Sequence, residues 1–426
     1  MNDASLNRRN FLKGSSAVFA AGLAQGNPWF AHHRHDDTIR IGLIGCGGRG
    51  TGAVTNALNV EPNAKLVALC DAFPDRLQSS LENLRAGEHA SRIAVDGDHQ
   101  FTGFDGYKDL IASVDVVLLA ATPHFRPRHL EAAVAAGKHV FCEKPVAVDA
   151  PGIHRVMEAC RQAKEKGLSI VSGLCYRYDE PKIETQKRIH DGAVGDVVAL
   201  QCTYNASGLW HRGSQADWAK WSDMEYQIRN WLYFTWLSGD HIAEQSIHSL
   251  DKILWARGDV APAKVTASGG RIARTDPKYG NVFDHFNTVF EWDDGVKLFH
   301  SCRQWEGADT DVSDYVFGTK GTAAIQHHRI SGENEWRFRG RPQFGMYDAE
   351  MAALFKSIHE NAPINNGDYM CKSTLMAIMG RMSAYTGKSI TWQQALDSKL
   401  DYTPAAYAWG QNEVEGVACP GRTQFV

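Results

Sequence analysis

Two hydrophobic patterns divide this chain. In the first, short apolar runs bounded by Gly, Asp or Pro predict buried strands, and the segments between them repeat apolar positions at helical spacing. The predicted strands run from Ile39 to Ile44, Leu66 to Cys70, Val114 to Ala120, His139 to Cys142 and Ser169 to Ser172. Helices are predicted between them, for example over 51–60, 129–136 and 152–166. Strands that alternate with helices favour an α/β fold with a parallel, doubly wound sheet.

The second pattern begins after Tyr178, where extended segments dominate. The predicted strands run from Val197 to Tyr204, Lys264 to Gly270, Phe283 to Glu291, Val296 to Gln304, Tyr315 to Gly318 and Thr322 to Gln326. Asp293, Asp294 and Gly295 separate two of these runs and are typical of a hairpin turn. We therefore expect an α+β region with a large antiparallel sheet.

Two apolar stripes at helical spacing follow within residues 347–386. The first contains Met351, Leu354, Phe355 and Ile358, and the second contains Leu375, Ile378, Met379 and Met382. Such stripes are typical of helices with a buried face. We expect these late helices to cover the antiparallel sheet or to pack back on the first domain.

The length of 426 residues suits two domains. The change of pattern predicts an α/β domain over 38–172 and an α+β domain over 173–426. Residues 1–31 are predicted to be a signal and linker that belong to neither domain.

This N-terminal segment has the layout of a twin-arginine export signal. Arg8 and Arg9 precede Phe11 and Leu12, and a mild apolar run of small residues extends over 14–24. A receptor recognises such a signal, so it is not a membrane anchor. We expect the twin-arginine export machinery as a partner and a periplasmic or otherwise exported location. An ordinary basic tail is the alternative.

Composition excludes several classes of partner. Hydrophobic residues make up 43% and charged residues 22% of the chain, and the net charge is -4. This charge gives no reason to expect nucleic acid or an anionic membrane surface as a partner. No apolar stretch is long enough to span a bilayer, so stable membrane insertion is not expected. The nine cysteines contain no close pair, and we expect no disulfide framework.

Glycines directly after the first predicted strand indicate a dinucleotide-binding turn. Gly45, Gly47 and Gly50 have the G-x-G-x-x-G spacing, in which Cys46, Gly48 and Arg49 fill the intervening positions. Such a turn brings backbone N–H groups and a helix N-terminus to a pyrophosphate. Asp71 ends the next predicted strand, at the distance of an acid that binds the ribose of NAD, and favours NAD over NADP. A glycine-rich turn without a ligand is the alternative.

The combination of motifs resembles the Gfo/Idh/MocA oxidoreductase family. The shared elements are the glycine turn, Asp71, Ala121-Thr122-Pro123 after a strand, and above all Glu143-Lys144-Pro145. The resemblance covers nearly all of the chain after the signal. It implies a Rossmann domain that binds NAD through these segments, followed by an open antiparallel sheet often used for homo-oligomers such as dimers or tetramers. It also implies a sugar, polyol or glycoside as substrate.

Lys144 is the first candidate for catalysis. Hydride removal from a secondary alcohol needs a base for the hydroxyl proton and a group that fixes the oxygen. A lysine can serve when burial or a neighbouring cation lowers its pKa. Lys144 occupies the lysine position of the family tripeptide, so it is expected to contact both cofactor and substrate. A surface lysine in a turn is the alternative.

The second candidate is a segment from Gly239 to Asp251, predicted to be one helix. In such a helix His241, Glu244, His248 and Asp251 share a face. His248 matches the family's histidine, whereas Glu244 stands where the family usually has Asp. Three interpretations remain: acid–base catalysis and substrate binding by His248 with Glu244, a metal site of His241, Glu244 and His248, or a structural network. The first is preferred, so no metal is expected.

Two further segments are candidates for ligand contacts. The resemblance implies that Tyr176 touches the cofactor and that Arg177 touches the substrate, although Arg177 could equally be a structural clamp. Trp210 and His211 lie in a tryptophan-rich stretch from Trp210 to Trp236 and are suggested as a substrate wall. Tryptophans that fill a helix–sheet interface are the alternative.

Export of a redox enzyme has a consequence for its cofactor. Outside the cytoplasm there is no obvious pool of free NAD, so the cofactor should be held tightly and regenerated within the site. We expect an NAD-dependent oxidoreductase that acts at a secondary alcohol of a sugar or polyol. The alternatives are an NAD-dependent glycoside hydrolase, which oxidises transiently, eliminates, hydrates and re-reduces, and a non-catalytic sugar-binding protein.

Overall fold

The computed structural model describes residues 38–426. The predicted export signal and its linker therefore lie outside the described residues. None of the helices in the described part is both long and apolar enough to cross a membrane. All nine cysteines are free thiols, and only Cys419 is exposed.

The first sheet has six parallel strands in the order β3-β2-β1-β4-β5-β6. They are β1 (Ile39–Ile44), β2 (Ala64–Asp71), β3 (Gln100–Thr102), β4 (Val116–Leu119), β5 (His139–Cys142) and β6 (Ile170–Ser172). The chain leaves β1 in one direction towards β2 and β3, and later returns on the other side with β4. The carboxyl ends of β1 and β4 are therefore the switch point at which such sheets bind ligands.

Six helices accompany this sheet. They are α1 (Gly48–Val60), α2 (Pro74–Ala86), α3 (Tyr107–Ser113), α4 (Arg126–Ala135), α5 (Ala150–Glu165) and α6 (Glu180–His190). Because both faces of the sheet are covered, its central strands are mostly apolar, and Leu43, Val117 and Phe141 are completely buried. The predicted α/β fold with a doubly wound sheet is confirmed.

The second sheet has nine strands in the order β14-β13-β12-β11-β7-β10-β9-β8-β15. They are β7 (Val197–Ala206), β8 (Lys264–Gly270), β9 (His285–Glu291), β10 (Lys297–Gln304), β11 (Asp311–Gly318), β12 (Gly321–Ala324), β13 (Arg329–Gly332), β14 (Trp336–Arg337) and β15 (Ile390–Thr391). The predicted hairpin joins β9 to β10. One pair departs from the expected antiparallel arrangement, because β7 and β10 are parallel. A long helical connection after β7 allows this pairing.

Eight helices belong to the second half of the chain. They are α7 (Gln215–Trp218), α8 (Asp223–Arg229), α9 (Thr235–Ser238), α10 (His241–Glu244), α11 (Ile247–Ala256), α12 (Met346–His359), α13 (Gly367–Thr386) and α14 (Trp392–Asp397). Alternate residues of the sheet, such as Leu200, Leu298 and Val316, share a core with α11 and α13. Met351 and Leu354 of α12 instead belong to the core that contains β1 and α1.

The predicted single helix from Gly239 to Asp251 is wrong. The helix is interrupted at Gln245 and Ser246, which separate α10 from α11. The Ser246 hydroxyl bonds to Nε2 of His300 at 2.7 Å, and the Gln245 side-chain carbonyl accepts a hydrogen bond from Gln304 at 2.7 Å. These bonds to β10 position the interruption, and a periodic pattern in the sequence gives no sign of them.

Candidate active site

The glycine turn after β1 is shaped by close packing on one side and open space on the other. Gly45 has a φ of 100°, and a Cβ there would clash with the backbone of Ala120 and Ala121. A Cβ at Gly50 would clash with the Gly45 carbonyl, whereas a Cβ at Gly47 would have no neighbour within 4 Å. The turn therefore packs tightly against the end of β4 at Gly45. At Gly47 the backbone is open, so a ligand group can approach it closely.

Asp71 supports this turn from the end of β2. Its carboxylate accepts hydrogen bonds from the backbone N–H of Cys46 at 2.7 Å and of Phe73 at 3.0 Å. Burial raises the pKa of Asp71, and these two hydrogen bonds oppose that effect. Asp71 therefore fixes the loop while it faces the same cavity as the glycines.

A cavity of about 510 Å³ extends from the glycine turn into the second half of the chain. Thirteen of the predicted site residues line it: Gly45, Gly47, Gly48, Arg49, Gly50, Asp71, Ala121, Thr122, Glu143, Lys144, Trp210, Glu244 and His248. An open glycine turn, an acid at the end of β2 and an unpartnered buried hydroxyl of Thr122 suit an extended polar ligand such as a dinucleotide. The residues present therefore fit NAD.

Lys144 and Glu244 meet on the wall of this cavity. The Lys144 ammonium donates a hydrogen bond to the backbone carbonyl of Glu244 and lies 3.9 Å from its Oε1 atom. Burial raises the pKa of Glu244, and the Lys144 charge opposes this effect. Oε2 of Glu244 is buried and makes no hydrogen bond within the described residues. The arrangement leaves a carboxyl oxygen ready for a polar ligand.

His248 lies in the first turn of α11 and lines the same cavity. Burial lowers the pKa of His248 well below its ordinary value, and the charges of Lys144, Lys252 and Arg49 act in the same direction. Nδ1 of the ring is buried without a hydrogen bond to the described part of the chain. A neutral imidazole is therefore maintained near neutral pH and can accept a proton.

A buried ionic network connects the glycine turn to a late helix. The guanidinium of Arg49 lies 2.5 Å from Glu143 and 2.6 Å from Glu350 of α12, and it stacks over the Tyr347 ring at 4.6 Å. Burial and the Glu143 charge raise the pKa of Glu350 well above its ordinary value. Arg49 and Glu143 thus orient the wall around Lys144, and Glu350 of α12, 301 residues after Arg49, completes the site.

The alternative metal site is wrong. Nδ1 of His241 bonds to the carboxylate of Asp240 at 2.9 Å, and its ring packs against Phe286. Because the helix is interrupted, His241 does not share a ligand set with Glu244 and His248. Among residues 38–426 no group of three His, Cys, Asp or Glu side chains is arranged to hold a metal ion.

Arg177 is a structural clamp and not part of the cavity wall. Its guanidinium lies 2.8 Å from Asp251 and 2.7 Å from Asp259, and its side chain is 7% exposed. The ring of Tyr369 stacks on it at 4.1 Å. The carboxylates on both sides of Arg177 explain why it is drawn away from the predicted substrate position.

Four other predicted residues of the described chain lie behind the wall of the cavity. The Cys46 side chain and Pro123 are buried. Tyr176 packs its ring edge-on against His248 at 5.1 Å. Nε2 of His211 bonds to the backbone carbonyl of Lys278 at 3.0 Å. Tyr176 therefore supports His248 from outside the cavity, whereas His211 is bonded to the loop that contains Lys278.

The tryptophan-rich stretch supplies two tryptophans to the wall. Trp210 and Trp231 line the cavity, with their ring centroids 6.4 Å apart, and Arg212 stacks over Trp210 at 4.3 Å. Trp236 is buried against His124. Trp210 was predicted from the sequence, whereas Arg212 and Trp231 were not, because an alternation of aromatic and polar residues in a loop does not predict which side chains turn inward.

Two family profiles match this chain. The profile of the Gfo/Idh/MocA oxidoreductase family, with an NAD-binding Rossmann fold, matches residues 39–171, and that of the Gfo/Idh/MocA C-terminal domain matches residues 183–324. The chain belongs to the Gfo/Idh/MocA oxidoreductase family. The resemblance noted in the sequence is confirmed, as is NAD as the cofactor of the first domain.

Individual members of the Gfo/Idh/MocA family are similar over most of the chain. Inositol 2-dehydrogenase 3 of Saccharopolyspora erythraea is 26% identical over 340 residues, which are 76% of this chain and 86% of that protein. The 2,7-anhydro-N-acetylneuraminate hydratase of Escherichia coli is 26% identical over 298 residues, 69% of each protein. The crystal structure of aldose-aldose oxidoreductase from Caulobacter crescentus has a TM-score of 0.65 at 19% identity and covers 83% of this chain and 99% of that chain. The protein is thus an NAD-binding oxidoreductase homologous to inositol dehydrogenases.

Proposed function

We propose that this oxidoreductase transfers hydride at a secondary alcohol carbon of a sugar or polyol. The observation that carries the proposal is the meeting of Lys144, Glu244 and His248 on one wall of the cavity that also contains the glycine turn. A proton acceptor for the hydroxyl, an ammonium group that fixes its oxygen and a carboxyl group that binds a neighbouring hydroxyl suit oxidation of an alcohol beside a hydride acceptor.

Each of these residues has a distinct task in the proposed reaction. The neutral imidazole of His248 accepts the hydroxyl proton. The Lys144 ammonium, aligned by the Glu244 carbonyl, donates a hydrogen bond to the same oxygen and stabilises the charge that develops there. The free Oε2 of Glu244 accepts a hydrogen bond from a neighbouring hydroxyl of the substrate. Acceptance and return of the hydride are the chemistry that bound NAD supplies.

The C-terminal segment 400–415 supports the proposal that NAD is held tightly and recycled. Trp409 packs on Phe104 at 4.7 Å and on Phe73 at 5.2 Å, and both phenylalanines line the cavity. The Tyr407 hydroxyl bonds to His124 at 2.8 Å. A segment anchored in this way must detach from the cavity wall before the cavity can open. This requirement slows the release of a bound nucleotide.

The relatives indicate the class of substrate and a second candidate reaction. One relative is named an inositol dehydrogenase and another an anhydrosugar hydratase. Trp210 and Trp231 suit stacking on a sugar or polyol ring. The hydratase favours, as the second candidate, glycoside hydrolysis by transient oxidation, elimination, hydration and re-reduction. A non-catalytic sugar-binding protein is the remaining alternative.

Export and oligomerisation complete the proposal. Arg8 and Arg9 support export through the twin-arginine pathway to the periplasm or beyond. The outer face of the nine-stranded sheet supports a homo-oligomer, either a dimer or a tetramer, because Phe299 is 52% exposed there.

The experiment is to purify the protein without added nucleotide, denature it and identify what is released by mass spectrometry. Stoichiometric NAD supports a carried cofactor. The native protein is then mixed with inositols, aldoses and glycosides while the absorbance of reduced nicotinamide is followed. Reduction by a free sugar or polyol supports oxidoreduction, and release of an aglycone without net reduction favours hydrolysis. If NAD is bound but none of these compounds reduces it, the result supports the non-catalytic alternative.

A further inference from the structure

Behind His248 lies a layer of buried charge that the proposed reaction does not use. The ring of Tyr176, which packs on the imidazole, has two ammonium groups above it: Nζ of Lys182 at 4.4 Å and Nζ of Lys252 at 4.7 Å from its centroid. The side chains of Lys182 and Lys252 are 4% and 0% exposed. Burial of one lysine is costly, so two on one ring require an explanation.

Both ammonium groups are held in place by acceptors on other elements. Lys252 of α11 pairs with the fully buried Asp314 of β11 and donates to Gln326 at 2.8 Å. Lys182 of α6 lies 2.8 Å from Asp179 and 3.1 Å from His328. The two cations are therefore fixed and cannot leave the Tyr176 ring without breaking these bonds.

We propose that Tyr176, Lys182 and Lys252 are positioning residues for His248. The ammonium groups fix the Tyr176 ring through cation–π contacts, and the ring holds the imidazole edge-on towards the cavity. The same two charges, which are screened little because they are buried, disfavour a second proton on the imidazole. The layer thus keeps the imidazole of His248 in its neutral form, which is the form that takes up a proton from the substrate. This inference rests on the proposed role of His248.

The other charges around His248 do not make this layer redundant. Lys144 from the loop after β5 and Arg49 from α1 also face the imidazole. Each of these is engaged at the cavity wall, Lys144 with Glu244 and Arg49 with Glu143. Lys144 and Arg49 line the cavity, whereas Lys182 and Lys252 do not and are held by their own acceptors.

The test replaces the ammonium groups with apolar chains of similar length. Lys182→Met and Lys252→Met are prepared as NAD-bound protein, together with Lys252→Met/Asp314→Asn, which leaves no unpaired carboxylate if the single variant does not fold. The exposed Lys356→Met of α12 is the matched control. Turnover is measured against pH, and the imidazole is followed by NMR with isotope-labelled histidine, its resonance assigned by its loss in His248→Asn.

Removal of a positive charge favours the protonated imidazole. The acid limb of the pH profile, where turnover falls as His248 becomes protonated, should therefore move to higher pH by about one unit. The His248 resonance should titrate at correspondingly higher pH. Lys356→Met should behave as wild type in both measurements. A folded variant with an unchanged limb and an unchanged resonance would overturn the inference. Full turnover in His248→Asn would instead overturn the proposed function, and the NMR titration would still decide whether the buried charges act on the imidazole.

Discussion

Lys144 and Arg177 each follow a strand of the first sheet, yet only Lys144 lines the cavity. The difference comes from what faces each cation. Arg177 meets two carboxylates, Asp251 and Asp259, which satisfy it behind the wall. Lys144 meets a backbone carbonyl at hydrogen-bonding distance and one carboxylate oxygen only at 3.9 Å, so its charge remains available at the cavity surface.

Arg177 therefore contributes to stability more than to catalysis. We expect Arg177→Met to lower the free energy of unfolding by about 3–5 kcal/mol, because it leaves Asp251 buried without its cation. Urea denaturation of the NAD-bound protein measures this loss. Arg161→Met, which removes two surface ion pairs, with Glu158 and Glu165, should leave the urea midpoint unchanged. Equal midpoints for Arg177→Met and wild type would contradict the assignment as a clamp.

At the scale of secondary structure, local motifs were predictable and their interruptions were not. The glycine turn, β1 and α1 follow from short-range constraints: Gly45 needs its positive φ, and the apolar run before it needs burial. The interruption between α10 and α11 depends on His300 and Gln304, more than fifty residues away. For the same reason the ion pair between Glu350 of α12 and Arg49 could not be predicted from the sequence.

The glycine turn allows cofactor binding to be separated from folding. Gly47→Val should fold, because a Cβ there has no neighbour within 4 Å, but its side chain occupies the side on which the turn is open. We expect the purified variant to contain little NAD, as measured by mass spectrometry after denaturation. A matched variant in the same region, Gly52→Ala, also has open space around the new Cβ and lies inside α1.

Gly52→Ala should retain NAD and increase the free energy of unfolding by about 0.5–1 kcal/mol, since Ala favours the helix over Gly. Wild-type NAD content in Gly47→Val would show that the pyrophosphate does not approach the backbone at this position.

Across the whole molecule, buried histidines couple stability to pH. Burial lowers the pKa of His124 to about 4 and those of His129 and His300 to about 3. These side chains stay neutral in the folded protein, whereas the unfolded chain binds protons below a pH of about 6.5. The unfolded state therefore binds more protons, and the free energy of unfolding falls as pH falls from about 6.5 towards these lowered pKa values.

Each of the three histidines should contribute a loss of about 1.4 kcal/mol per pH unit in that range. Urea denaturation at a series of pH values between neutrality and moderate acidity measures the slope. The ring introduced by His129→Phe can stack between Tyr107 and Phe125. In this variant the slope of the free energy of unfolding against pH should be smaller by the contribution of one histidine. A slope equal to that of wild type would mean that His129 is protonated in the folded protein.

The architecture of two sheets follows from hydrophobic patterns. The packing of the C-terminal segment 400–415 against the site does not. Strands of period two and helices of period three to four were visible along the chain, so both sheets were predictable. Trp409 and Tyr407 lie in a segment without regular structure, and their contacts with Phe73 and His124 depend on the finished fold. Such contacts have no periodic signal, which is why the sequence did not assign this segment to the site.

The most direct test of the account is reduction of bound nucleotide in a single turnover. Wild type, Lys144→Met and His248→Asn are mixed with saturating polyol or sugar after their NAD content has been measured. The account predicts rapid formation of reduced nicotinamide in wild type and rates about 10²–10⁴-fold lower in both variants at equal NAD content. Reduction at the wild-type rate in both variants would contradict the assignment of Lys144 and His248.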